Sequence, residues 1–251
     1  MKKHRRTMLV IAIVAAVLAA SFFTFLYRSN LPMLGELAKK GVIDVSYAPG
    51  SLELNADSRI WNDVEPAIIN LYPQSARSPH GDDERVIEVR GVHNDDEIAF
   101  LLEFDDDTEN RSGPARPDSC AILFTPADGP ATTQMMGFGG MANVWQWLAD
   151  MDTQQHQAGN LDVKAVRELI ATGPGTQKPL GMQNVEAKGV YEGQRWRVVF
   201  KRSLNSTQDR ELDFSSESNL NVAFALWNGE KMEASSRKSI AILRSLRIEG
   251  K

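Results

Sequence analysis

Short apolar runs parted by turn residues limit this chain's possible folds more than any other feature. Val86–Val92 and Ile98–Phe104 flank the turn Asn94-Asp95-Asp96-Glu97, a pattern that predicts a β-hairpin. The apolar residues of the pair are nearly continuous, so both faces are expected to be buried. Ile43–Tyr47 alternates and reads as a strand broken by Ala48-Pro49-Gly50, and Ala67–Leu71 reads as another, with Asp63 able to cap a short helical turn before it. Ala121–Phe124 reads as a short buried strand ended by Pro126. Asn184–Leu204 reads as a second hairpin that turns at Glu192-Gly193, with Trp196, Val198 and Phe200 alternating against Arg195, Arg197 and Lys201. Leu220–Leu226 and Ile240–Ile248 complete the set.

Two segments in the middle read as helices. These are Asn143–Met151 and Leu161–Ala171, the second with Asn160 as its cap and Gly173 as its stop. Ser75–Glu84 is polar and reads as a loop. The expected fold class is therefore mainly β, a β-sandwich with a small helical insertion, occupying residues 43–251. The acidic run Asp105–Asn110 does not make a calcium loop. Counted from Asp105, the sixth position is Asn110 rather than glycine and the twelfth is Arg116 rather than glutamate, so a solvated turn is expected.

The first 28 residues stand apart. Lys2, Lys3, Arg5 and Arg6 precede a charge-free apolar run from Met8 to Tyr27, about the length that spans a bilayer. Ala19-Ala20-Ser21 would suit a signal-peptide cleavage site, but Phe22, Phe23, Phe25 and Leu26 prolong the run past it. The expectation is one N-terminal transmembrane helix with its basic end in the cytoplasm. This makes a single-pass inner-membrane protein whose C-terminal domain lies in the periplasm, joined by a linker over residues 29–42. Five of the 28 basic residues and none of the 33 acidic ones precede Ser29, so the remaining chain is strongly acidic. That argues against nucleic acid as a partner.

The single cysteine, Cys120, excludes an intrachain disulfide, a cysteine-type zinc site and a Cys-x-x-Cys-His haem attachment. The four histidines are scattered, and no nucleophile-and-base arrangement is visible, so a catalytic role is not expected. The stretch Gln134–Trp147 pairs the thioethers of Met135 and Met136 with a turn at Gly137-Phe138-Gly139-Gly140, then carries Trp145 and Trp147. Methionine sulfur is a soft metal donor, glycine lets a backbone approach a flat ligand, and methionine is also an ordinary gap filler in a core. Trp145, Trp147, Trp196 and Trp227 suit either a core or an apolar ligand pocket.

Several segments, in order, resemble the haem-binding domain of ethylbenzene dehydrogenase-type γ subunits of the type II dimethyl sulfoxide reductase family. They are Trp61, Ile98–Asp105 with Thr108, Asp118–Phe124, Met136-Gly137 followed by Asn143–Trp147, Tyr191-Glu192-Gly193 with Trp196 and Lys201–Leu204, Val222–Gly229, and Arg237–Ile240. The resemblance implies a β-sandwich holding one haem b, its iron ligated by Met136 and Lys238. Gly137 and Trp145 would line the site, and Arg237 would stand beside a propionate or face water. It also implies an electron-transfer subunit that accompanies a molybdenum and iron–sulfur oxidoreductase, or exchanges electrons with a cytochrome. The N-terminal anchor departs from that pattern. A carbohydrate- or small-ligand-binding sandwich, with exposed tryptophans that stack on sugars, is the alternative.

Overall fold

Thirteen strands are found among the described residues of this computed structural model, which are 41–74, 85–126 and 141–250 except 161, 174, 207 and 216–219. The apolar run Met8–Tyr27, the polar stretch Ser75–Glu84 and the Met-Gly turn all lie outside them.

The hairpin read from the sequence is present as β3 (Arg85–His93) and β4 (Glu97–Asp105). Asn94 holds its turn by accepting from the backbone N–H of Asp96 and Glu97 on Oδ1, at 2.9 and 2.6 Å. β4 continues into β10 (Arg195–Ser203), which pairs with β9 (Glu186–Glu192). Gly193 and Gln194 between them have φ of 59° and 60°, the positive values that a two-residue hairpin turn of this twist needs. β2 (Ala67–Pro73) closes the other side of β3. These strands make one layer.

The second layer is β11 (Leu220–Trp227), β5 (Ser119–Pro126), β6 (Ala142–Leu148), β7 (Val166–Ala171) and the two-residue β8 (Lys178–Pro179). Two seams join the layers. The short β12 (Ser239–Ile240) lies between β11 and β2, and β13 (Arg244–Ile248) lies between β11 and β1 (Val42–Tyr47), which runs parallel to both β13 and β3. The architecture is mainly β, barrel- or sandwich-like. The last predicted strand is thus two strands, with the chain changing partners at Ala241–Leu243.

Large aromatics fill the space between layers. Trp147 of β6 meets Trp196 of β10 at 4.9 Å between ring centroids, and Phe124 of β5 meets Phe100 of β4 at 5.5 Å. Each such side chain, fully buried, contributes about 2 kcal/mol by leaving water. Gly189 of β9 is glycine because a Cβ there would lie 2.3 Å from Trp147. The outer face of the β3–β4–β10 layer is also covered: Val92, Ala99, Leu101 and Val199 pack with Leu52, Ala56 and Trp61. Burial on both faces is why the β4 sequence is almost unbroken in apolar residues.

Both predicted helices are overturned. Ala142–Leu148 is β6, and only Ala149–Asp152 is α-helical (α1), followed by one π turn over Thr153–Gln157. The predicted helix 161–171 contains β7 instead. Its alternation is hidden because the inward Glu168 is polar. That carboxylate is fully buried and pairs with Arg202 of β10 at 3.2 Å, so a charged residue stands where the strand rhythm calls for an apolar one. The acidic run is not wholly solvated either. Asp106 is buried, and its carboxylate accepts from the Asn228 amide at 3.0 and 3.1 Å.

Candidate functional site

Alternation in the second layer produces two unlike faces. In β5, Cys120, Ile122 and Phe124 enter the core between the layers, and Ala121 and Leu123 point the other way. In β6 the inward residues are Trp145 and Trp147, and Val144 faces out. In β11, Val222, Phe224 and Leu226 face in, with Ala223, Ala225 and Trp227 out. The outward set forms a second buried apolar cluster with Leu169 and Ile240. Register places Ala121 beside Ala225, Ser119 beside Trp227, and Gln146 beside Arg167. Aromatic rings crowd the inner face, and four alanines, Ala121, Ala142, Ala223 and Ala225, stand on the outer one.

A cavity of about 580 Å³ lies on this side of the layer. Val144, Gln146 and Leu148 of β6, Ser119 of β5, Arg167 of β7 and Trp227 of β11 line it, together with Gln74, Arg116 and the loop Glu233–Ser236 with Lys238. Its size is that of a cofactor or drug-sized ligand site.

The loop that carries Lys238 is tightly wound. Met232 and Ser235 are non-glycine residues at φ of 55° and 54°, a costly conformation for an L side chain. Bonds from Met232 N to Gly229 O (2.9 Å) and from Arg237 N to Ala234 O (2.9 Å) hold the turn. Immediately after it, Ser239 pairs with Pro73 and Leu226, and Gln74 N donates to the Lys238 carbonyl at 2.9 Å. Lys238 is thereby fixed at the seam between the layers.

Its side chain is 2% exposed. Among the described residues the ammonium has two partners. It donates to the Ser235 carbonyl at 3.1 Å, and it sits 5.0 Å from the centroid of the Trp227 indole ring. Burial lowers its pKa from 10.5 to about 8, because the charged form loses water without gaining a carboxylate. The nearby carboxylate Glu233 is paired with Arg85 at 2.8 Å. An amine so placed is within reach of neutrality, the state in which nitrogen can donate its lone pair to a metal.

The approach of segment 116–119 to the end of β11 shapes the cavity's other side. The Asp118 carboxylate accepts from Gly229 N and Asn110 N, each at 2.8 Å, and from the Trp196 indole at 3.1 Å. Burial raises the Asp118 pKa against these bonds. A Cβ on Gly229 would stand 1.9 Å from the Arg116 carbonyl oxygen, so this close packing requires glycine. Asp106 stabilises the same turn through Asn228; its pKa is raised to about 6, chiefly by burial and then by the charge of Asp118.

The residues singled out from the sequence separate at this point. Lys238 is in the cavity wall. Trp145 is not: it packs at the centre of the core against Phe124, Phe214 and Phe100, because it sits on the inward register of β6. Trp147 and Trp196 likewise lie between the layers, leaving Trp227 as the tryptophan that lines the cavity. Arg237 is exposed and donates to the Met232 carbonyl at 3.0 Å, outside the cavity lining. Met136 and Gly137, with Met135, lie outside the described residues. Arg116 and Arg167 line the cavity and were missed. Arg167 fell within a supposed helix, and Arg116 sits in a turn with no pattern to mark it.

A mainly β scaffold with a cofactor-sized cavity and one buried amine in its wall presents a candidate ligand or cofactor site. The ethylbenzene dehydrogenase family profile matches residues 58–182 and 173–239, and the chain belongs to that family. It is 30% identical over 190 residues to a protein of Haloferax mediterranei described as "Putative respiratory nitrate reductase heme subunit ORF7", covering 73% of this chain and 64% of that one. Over 126 residues it is 27% identical to chlorate reductase subunit gamma of Ideonella dechloratans, covering 50% and 47%. The chain thus spans less than two thirds of the length of either relative. A solved "putative carbohydrate-binding protein" from Bacteroides uniformis ATCC 8492 shares the fold at 10% identity and a TM-score of 0.50, over 83% of this chain and 99% of that one.

Proposed function

We propose that this protein is a γ-like haem subunit of a respiratory oxidoreductase, an electron carrier rather than a catalyst, and that the cavity beside Lys238 takes one haem b. The observation that carries the reading is the buried, carboxylate-free Lys238 amine in the wall of a cavity of about 580 Å³. The printed descriptions of the two relatives, one a haem subunit and one a γ subunit, point the same way.

The residues present suit the group. Val144, Leu148 and Trp227 offer apolar walls, Lys238 a nitrogen donor and Arg116 and Arg167 cations for carboxylates. Met136 would supply a second ligand, through sulfur. A haem held by two side chains of this protein would supply one-electron transfer and leave no place for a substrate. This chain's contribution is to bring the amine closer to neutrality, exclude water from it and set the surrounding charge. Met8–Tyr27 would anchor the chain in the inner membrane with the body in the periplasm, where its partner would be a molybdenum and iron–sulfur oxidoreductase or a cytochrome.

The carbohydrate-binding alternative called for exposed tryptophans, and all five tryptophans are buried.

The test is a visible spectrum and pyridine haemochrome assay on the purified full chain. A reduced b-type spectrum is expected, lost in Lys238→Leu and in Met136→Ala. A colourless protein after expression with ample haem refutes the proposal.

A further inference from the structure

Most arginines elsewhere among the described residues have a carboxylate partner, and the exceptions Arg59 and Arg237 lie outside the cavity lining. Arg85, Arg90, Arg111, Arg195, Arg197, Arg202 and Arg247 each form an ion pair of 4.0 Å or less. Arg116 and Arg167 do not, among the described residues, although the chain carries more acidic residues than basic ones. Both are exposed, and both line the same cavity as Lys238. Their backbones are fixed: Arg167 sits in β7 opposite Gln146, and Arg116 N donates to the Gly229 carbonyl at 3.3 Å. The carboxylate that shares the cavity, Glu233, already has its own arginine, Arg85. The cavity therefore has a buried amine in its wall and two solvent-facing guanidiniums without a counter-charge. A planar fork of N–H donors is matched by a carboxylate.

We propose that Arg116 and Arg167 are the anion anchors of this cavity and that they hold the propionate carboxylates of the porphyrin. This assigns the propionate role to those two residues in place of Arg237. The inference rests on the haem reading above, and it adds an orientation: the propionate edge faces solvent between β7 and segment 116–119. The two arginines are positioning residues, since they touch the cofactor's periphery and not its iron.

The experiment compares haem b with iron protoporphyrin dimethyl ester, which lacks the two negative charges, on the full chain and on the Arg116→Gln/Arg167→Gln double variant. The readouts are the rate of porphyrin transfer to an excess of apomyoglobin and the reduced visible spectrum. The unaltered chain should release the ester about 10- to 100-fold faster than haem b, the range expected for losing charge-assisted hydrogen bonds. The double variant should release both at the same fast rate with the band positions of the reduced spectrum unchanged. Arg237→Gln should behave like the unaltered chain. Equal release of ester and haem b by the unaltered chain would overturn the inference without needing any variant, as would a double variant that keeps the original preference. An unaltered chain with no haem spectrum would overturn both this inference and the haem reading, whereas a normal spectrum with unchanged release would overturn this inference alone.

Discussion

Replacing Lys238 by leucine should make the cofactor-free protein more stable while abolishing its haem spectrum. A lysine whose pKa falls from 10.5 to about 8 on folding is disfavoured in its charged form by about 3 kcal/mol at pH 7. Leucine, apolar and without a donor atom, removes that cost. It also removes the bond to the Ser235 carbonyl and the contact with the Trp227 ring, each about 1 kcal/mol. The net gain at pH 7 is about 1 kcal/mol, or a rise of about 2–4 °C in Tm for a domain of this size. The pH dependence is the sharper signature. Because the folded-state pKa is depressed, the lysine's favourable contribution is complete above pH 10.5 and is lost as pH falls through 8. The stability difference between variant and unaltered chain should therefore shift by about 3 kcal/mol between pH 7 and pH 11, as the unaltered chain gains. Urea denaturation of both apoproteins across that range measures it, and other titrating groups cancel in the difference. A variant less stable at pH 7 by an amount that does not change with pH would refute the claim that the amine is buried at a cost. Added haem should stabilise the unaltered chain only.

Other outcomes follow from the surroundings of the cavity. Gly229→Ala should cost about 2 kcal/mol or more, because its methyl group would meet the Arg116 carbonyl; thermal melts would show it, and a neutral result would mean the 116–119 segment is free to move. Asp106, with its pKa raised to about 6, contributes stability that is present below pH 3.8 and is lost as pH rises through 6. The unaltered chain should lose about 2 kcal/mol from this group over pH 4–7, a slope that Asp106→Asn removes in denaturant midpoints. Glu168→Ala leaves Arg202 buried with one of its two carboxylates gone, and should cost about 3 kcal/mol or more; a smaller loss in urea titration would show that Glu211, 3.4 Å from the guanidinium, suffices alone.

The parts of this fold that were legible in the sequence are those where burial is simple. The hairpins β3–β4 and β9–β10 show their turns and their apolar faces directly, because one turn chemistry and one rhythm operate in each. β6 and β7 were unreadable for a definite reason. β6 is covered on both faces, and β7 carries a buried ion pair on its inward face, so neither alternates between apolar and polar. The site was half legible. Lys238 is named through the family resemblance, by its place before Ser239-Ile240, and nothing local distinguishes a buried lysine from a solvated one. Arg237, its neighbour, is exposed, and Trp145, named with it, belongs to the core.

By itself, the amino-acid order determined that this chain is mainly β, that it belongs with the ethylbenzene dehydrogenase relatives, and that no cysteine chemistry supports it. Only the tertiary structure decided which face of the second layer is open, since that depends on alanines of β5 and β11 meeting across a register no local pattern encodes. It alone brought Arg116, Arg167 and Lys238 to one cavity. Those three lie far apart along the chain, and their common surroundings are created by strand pairing and by the seam where β12 crosses between layers.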